Sequence, residues 1–348
     1  MRYIGGKSLM LDNIISVIGE YASTINTVAD IFSGSGVVSA IFKKQGFEVI
    51  SNDIMYFSYI LNRGSICLNN KPTFENLIIR NPIEYLNNLE IQDTDLYIKQ
   101  CFIYNNYSPS EACDRMYFQN KNAIKIDIIR LTIENWYKKN LLSDDEYFYL
   151  LASLISAVPY VSNITGIYAA YLKTWDVRTY NDLILKDIEI VESSKTHSAF
   201  NMDANELVRN ISPDLVYIDP PYNERQYLPN YHVLDTVAKY DYPEIKGVTG
   251  MRDYSKEKSK YCRKTEAKAT FDDLIKNTNS SYILVSYNNE GLLSTAELTE
   301  ILQKYARTGT FKLFEYNYRR YKNKIPNNAD GLKEQLYFIE KENRNAEL

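Results

Sequence analysis

The sequence predicts an α/β fold in which a parallel sheet is interrupted by a largely helical insertion. Three observations carry that expectation. Residues 27–53 read as strand, glycine-rich turn, helix and strand, a βαβ unit that requires parallel pairing. A buried-strand run, Leu215-Val216-Tyr217-Ile218, returns only after a long interval and stops at Asp219-Pro220-Pro221-Tyr222. In between, helical periodicity dominates residues 123–139 and 144–157, with no second glycine-rich turn.

Residues 8–22 place Leu9, Ile14, Ile15 and Ile18 at helical spacing, so an amphipathic helix opens the chain. Thr27 to Phe32 is a short apolar run broken by Ser33-Gly34-Ser35-Gly36. Val37 to Lys44 is helical in character, and Phe47 to Asp53 reads as the second strand. Asn- and Tyr-rich connections join the helices of the middle segment. Two further strands follow the Asp-Pro-Pro-Tyr run, at residues 281–287 and 335–340. The sheet domain is therefore expected over residues 1–70 and 196–348, and the insertion over 71–195.

Composition narrows the class. The 348 residues are 45% hydrophobic and 24% charged, as in soluble globular chains. No run of about 18 apolar residues offers a membrane span, and Met1 to Asn13 lacks the apolar core of a secretory signal. The four cysteines are scattered without a CxxC pair, and His197 and His232 are the only histidines, so no zinc site is expected. Free thiols suit a reducing compartment, and the expected location is cytoplasmic. A net charge of −4 does not advertise a nucleic-acid binder, but DNA affinity depends on local Lys and Arg rather than on the mean.

Asp30-Ile31-Phe32-Ser33-Gly34-Ser35-Gly36 sits where a strand feeds a helix, and its glycines let the backbone approach a ligand. Ser39 stands where a dinucleotide fingerprint needs its third glycine, which disfavours a nicotinamide enzyme. Asp53, ending the next strand, is placed to accept hydrogen bonds from ribose hydroxyls. Gly5-Gly6-Lys7-Ser8 resembles the tail of a phosphate loop, but Met1 occupies the position of its first glycine, so an ATPase is not expected. Asp219-Pro220-Pro221-Tyr222 is the decisive run. Its prolines fix the backbone and contribute no N–H, so a carboxylate and a carbonyl can together receive both hydrogens of an amino group. The Tyr222 ring offers a face to a flat base.

With those residues in view, the chain resembles the Dam-like, alpha-group adenine-N6 DNA methyltransferases. Tyr3-Ile4-Gly5-Gly6-Lys7 resembles their cofactor-flanking motif, Asp30 to Gly36 their Phe-x-Gly-x-Gly motif, and Asp219 to Tyr222 their catalytic tetrad. Ile283 to Glu290 resembles the strand after it. The resemblance implies a Rossmann-like S-adenosylmethionine methyltransferase sheet with an inserted target-recognition domain. It implies S-adenosylmethionine held by Tyr3, Gly5, Lys7, Asp30, Phe32, Gly34, Gly36 and Asp53, with Asp203 near the cofactor adenine. Catalysis is implied at Asp219, Pro220 and Tyr222, on an adenine flipped out of duplex DNA. A restriction–modification setting is also implied, with any cognate restriction endonuclease acting separately and the methyltransferase a monomer or weak dimer.

Around this core, Arg225, Gln226, Tyr227, Asn230, Tyr231 and His232 are expected near the flipped base. Arg252 to Lys268 holds seven basic residues against three acidic ones and reads as a phosphate-contacting loop, with Lys258, Lys260, Arg263 and Lys264 at its centre. Arg319 and Arg320 open a second basic stretch in an expected hairpin. Lys173, Trp175 and Arg178 lie late in the insertion, where they could reach bases. Cytosine-N4 methylation is the nearest alternative, although such loops usually carry Ser in place of Asp219. Protein-glutamine or RNA methylation resembles an Asn-Pro-Pro-Tyr loop instead. A DNA-binding or regulatory subunit that has lost turnover is the non-enzymatic alternative.

Overall fold

In the computed structural model, residues 6–90, 99–317 and 331–342 are described. Among them, nine strands order the chain: β1 Thr27–Asp30, β2 Glu48–Asn52, β3 Ser198–Phe200, β4 Leu215–Ile218, β5 Ile245–Lys246, β6 Met251–Arg252, β7 Tyr282–Asn288, β8 Lys312–Asn317 and β9 Lys333–Glu340. Seven of them form one sheet in the order β3-β2-β1-β4-β7-β9-β8, and β5 pairs with β6 in a separate ribbon. The first five strands of the large sheet are parallel; β9 runs antiparallel to both β7 and β8.

Period-2 alternation decides which side chains face which layer. Ala29, Val216, Ile218, Ile283, Val285 and Ile339 bury against the helices Ala267–Asn277 and Thr295–Tyr305. Val28, Val49, Leu215, Tyr217, Leu284 and Phe338 turn to the other face, against the helices Leu11–Tyr21 and Val37–Lys44. Burial on both faces explains why β4 reads as an unbroken apolar run.

The stretch from residue 64 to β3 contributes helices and loops, chiefly the helices Asn120–Lys138 and Asp144–Ala157. The second begins with a capping box, Ser143 and Glu146 each satisfying the other's backbone N–H. Its apolar face does not close on itself. The helices Tyr56–Arg63 and Leu228–Lys239 supply Phe57, Ile60, Tyr231 and Val233 to the same core. Gly64 shows how close this packing is, since a Cβ there would stand 2.4 Å from the Phe148 carbonyl oxygen. Arg63 adds an ion pair to Asp145 at 2.8 Å. The helical segment is thus packed directly onto the helices that follow β2 and β4.

Candidate active site

The chain order reverses between β1 and β4: β2 and β3 are laid down on one side, β7 on the other. In such a sheet the crevice beyond the carboxyl ends of these two strands is where ligands bind. Asp30 pairs with Tyr217 in register, so the glycine-rich turn and the Asp-Pro-Pro-Tyr loop leave adjacent strand ends. Between them lies a cleft open to solvent.

Hydrogen bonds lock the first wall. Gly34 N–H donates to Asp53 Oδ2 at 2.8 Å, and Met55 N–H donates to Asp53 Oδ1 at 2.8 Å. Gly36 has φ +79°, a left-handed backbone conformation that favours glycine, and a Cβ on it would come within 2.9 Å of the Asn62 side-chain oxygen. Ser39 Oγ donates to Asp30 Oδ2 at 2.7 Å, which gives a positive role to the residue that replaces the third glycine. Asp30 is almost fully buried, and its Oδ1 has no hydrogen-bond partner. Burial pushes its carboxyl up to about 7, against the Ser39 hydrogen bond. Burial also pushes Asp53 up to about 6, partly offset by the Met55 and Gly34 amides. Asn52, which sequence reasoning missed, ties the wall together: Nδ2 donates to the Ile31 and Met202 carbonyls, and Oδ1 accepts from Met202 N–H at 3.0 Å.

The loop after β4 forms the opposite lip. Asp219 retains some exposure and faces Lys7, whose Nζ is 3.3 Å from Asp219 Oδ1 and 2.9 Å from Glu334 Oε2. Burial pushes the Asp219 carboxyl up to about 6, against the pull of Lys7 and with the push of Glu334. Burial opposes the Lys7 charge, yet Asp219 and Glu334 together hold the ammonium above its ordinary value. Tyr222 packs edge-on to Tyr287 at 6.2 Å, which fixes the ring beside Asp219.

Phe32, Asp53, Asp203, Asp219 and Tyr222 therefore line one cleft, as do Gln226 and Tyr227. Asp203 also caps a short helix through Oδ1, accepting from Asn205 and Glu206 N–H. Asp30, Gly34 and Gly36 shape the turn behind the wall rather than the wall itself, and Pro220 is buried beneath the lip. Lys7, expected to flank the cofactor, stands behind Asp219, paired with it and with buried Glu334. Tyr3, Gly5, Arg319 and Arg320 lie outside the described residues.

Tyr231 and His232 do not approach the cleft. Both are buried in the helical core, with His232 Nε2 3.0 Å from the Tyr168 carbonyl oxygen. Arg252 is likewise withdrawn from the basic loop, forked onto Asp241 at 3.0 and 2.7 Å. Lys258, Lys260, Lys264 and Arg225 are exposed, and exposed Arg263 pairs with Glu266. Trp175 is half-buried, in a surface cleft with Lys121 and Tyr180. No local motif marks Glu334, nor Glu257, Ser259 and Tyr261, which form the cleft's outer wall. The cleft's ionisable lining is four carboxylates (Asp53, Asp203, Asp219 and Glu257) and three tyrosines, a donor set suited to a cation and hostile to phosphate. Among the described residues, no three His, Cys, Asp or Glu side chains converge on a metal position, and no helix is long and apolar enough to cross a membrane.

An Asp-Pro-Pro-Tyr loop on the lip of this switch-point cleft defines the class, a Rossmann-like methyltransferase fold. The chain belongs to the D12 class N6 adenine-specific DNA methyltransferase family, whose profile matches residues 3–301. It is 44% identical to the type II methyltransferase M.FokI of Planomicrobium okeanokoites, across 98% of this chain and 53% of that protein. Identity to the modification methylase StsI of Streptococcus sanguinis is 43%, across 98% and 52%. The chain thus spans about half the length of these two relatives. The type II methyltransferase M.NlaIII of Neisseria lactamica is 37% identical and is matched over 99% of its own length.

Proposed function

We propose that this chain is a site-specific DNA methyltransferase that moves a methyl group from S-adenosylmethionine to the N6 amino group of adenine in duplex DNA, within a restriction–modification system. The observation that carries the reading is Asp219, held at the lip of the switch-point cleft by a buried ammonium and aimed by Pro220 and Pro221. A cleft lined by the carboxylates of Asp53, Asp203, Asp219 and Glu257 fits a cationic sulfonium donor. Phe32, Asp53 and Asp203 would hold that donor, Asp53 at the ribose and Asp203 at the adenine, with Asp30, Gly34 and Gly36 shaping the turn beneath it. When bound, S-adenosylmethionine supplies an electrophilic methyl group on sulfur.

Everything else falls to the protein. Adenine's amino nitrogen is a weak nucleophile because its lone pair is delocalised into the ring. Asp219 and the Pro220 carbonyl each accept a hydrogen bond from the amino group, which concentrates electron density on nitrogen at the required position, and one amino proton is released to solvent as the methyl group is gained. Tyr222 stacks on the ring, an interaction worth about 1–3 kcal/mol, which offsets an unstacking cost of a few kcal/mol. Residues 1–70 and 196–348 make up the catalytic domain in this reading, and residues 71–195 recognise the target. Its working unit is a monomer or weak dimer in the cytoplasm, with any cognate endonuclease a separate protein.

Arg225, Lys258, Lys260, Arg263 and Lys264 are assigned to DNA phosphates, together with Arg319 and Arg320. Neutralising Lys258, Lys260 and Arg263 should weaken duplex binding and lower the slope of log K against log salt by about 1 for each phosphate no longer neutralised. Titrations at several salt concentrations check this, and an unchanged slope would return the loop to a solvated role. The donor assignment is tested by thermal unfolding. S-adenosylmethionine at 100 times its Kd should stabilise the chain by about 2.7 kcal/mol. A midpoint that does not move would favour a DNA-binding subunit without turnover.

A further inference from the structure

Resting on the methyl-donor reading above, we infer that Glu257 is a further cofactor-binding residue whose carboxylate accepts a hydrogen bond from a ribose hydroxyl, alongside Asp53. The segment Lys256–Tyr261 has two faces. Lys256, Lys258 and Lys260 are exposed, whereas Glu257, Ser259 and Tyr261 turn inward to form the cleft's outer wall. The inward face is clasped. Gln226 Nε2 donates to the Ser259 carbonyl at 2.9 Å, and Gln226 Oε1 accepts from Ser259 N–H at 2.8 Å. Tyr261 packs edge-on to Phe32 at 5.3 Å and donates its hydroxyl to Asn205 Oδ1.

Glu257 is aimed by a chain of contacts that leads back to Asp53. Its Oε1 pairs with Lys239 Nζ, which also pairs with fully buried Asp235 at 2.8 Å. Asp235 Oδ1 accepts from Phe57 N–H at 3.2 Å, two residues beyond the Met55 amide that donates to Asp53. Glu257 therefore stands at the Asp53 end of the cleft. Its Oε2 is buried and has no hydrogen-bond partner, a costly state that a ligand hydroxyl relieves. A ribose presents two O–H donors, while each Asp53 oxygen already receives a backbone N–H. Two carboxylates then divide the two donors.

Calorimetric titration of S-adenosylhomocysteine and its 2′-deoxy and 3′-deoxy analogues tests this on the full chain and on Glu257→Ala and Glu257→Gln. Glu257→Ala should bind S-adenosylhomocysteine about tenfold more weakly, and Glu257→Gln about threefold. Against the analogue lacking the contacted hydroxyl, both penalties should shrink to within twofold. If the alanine variant does not fold, the isosteric glutamine variant carries the same comparison. Unchanged affinity in the variants, or an equal penalty against every analogue, would overturn the assignment. Failure of the unsubstituted chain to bind S-adenosylhomocysteine would instead remove the methyl-donor reading on which it rests.

Discussion

Asp219→Ala is expected to slow methyl transfer by at least about 10²–10³-fold while changing methyl-donor affinity only a few-fold. In the proposed mechanism the carboxylate accepts a hydrogen bond from the adenine amino group, and among the described residues no other side chain stands in its place on the lip of the cleft. Truncation should not unfold the chain, because Lys7 keeps Glu334 at 2.9 Å and its buried charge retains a partner. Asp219→Asn separates shape from charge: it preserves an acceptor oxygen but not the anion, so its rate should fall between the two. Single-turnover transfer to duplex DNA, with donor binding measured in parallel, reads both quantities. Turnover in Asp219→Ala within tenfold of the unsubstituted enzyme would remove Asp219 from the mechanism.

The second large effect concerns pH. In the proposed mechanism Asp219 accepts hydrogen bonds as a carboxylate, and burial pushes its pKa up to about 6 against the opposing charge of Lys7. The single-turnover rate should therefore rise as pH increases through about 6 and level off above it. Lys7→Met takes away the cation and leaves Asp219 with Glu334, whose negative charge raises its pKa further. The acidic limb should move upward by about 1–3 pH units, so the loss is greatest near neutral pH and is recovered in alkali. Removing one member of a buried ion cluster also costs about 3–5 kcal/mol of stability. Adding Glu334→Gln to Lys7→Met removes the second charge and should bring the limb part of the way back. A limb that stays near pH 6 in Lys7→Met would uncouple Lys7 from the reacting carboxylate.

Why some of this is legible in the sequence and some is not follows from chain distance. The βαβ unit and β4 are readable because strands buried on both faces leave continuous apolar runs, cut short by glycine or proline. β3 and β8 are not. One is three half-buried residues, and the other mixes half-buried and exposed positions at the sheet's edge without strict alternation. Phe32, Asp53, Asp203, Asp219 and Tyr222 belong to local motifs and meet around one cleft. Glu334 carries no local signature, since its contact with Lys7 spans 327 residues and exists only once β9 has entered the sheet. Glu257 reads merely as one of the acids in a basic loop, and only the alternation of that loop separates its inward face from its lysines. His232, expected near the base, lies in the core, although a signal for that is present. Leu228, Tyr231, His232 and Asp235 recur at helical spacing, and all four are buried on one face of a helix.

Methyl transfer from labelled S-adenosylmethionine to unmethylated duplex DNA of mixed sequence, followed by nucleoside analysis, tests the central claim most directly. Label is expected in N6-methyl-2′-deoxyadenosine, at sites that share one short sequence. Label on cytosine would contradict it and transfer the assignment to the amino group of the other base. Donor binding with no label on DNA would contradict it more deeply, and would leave the cleft built around Asp219 serving a different acceptor.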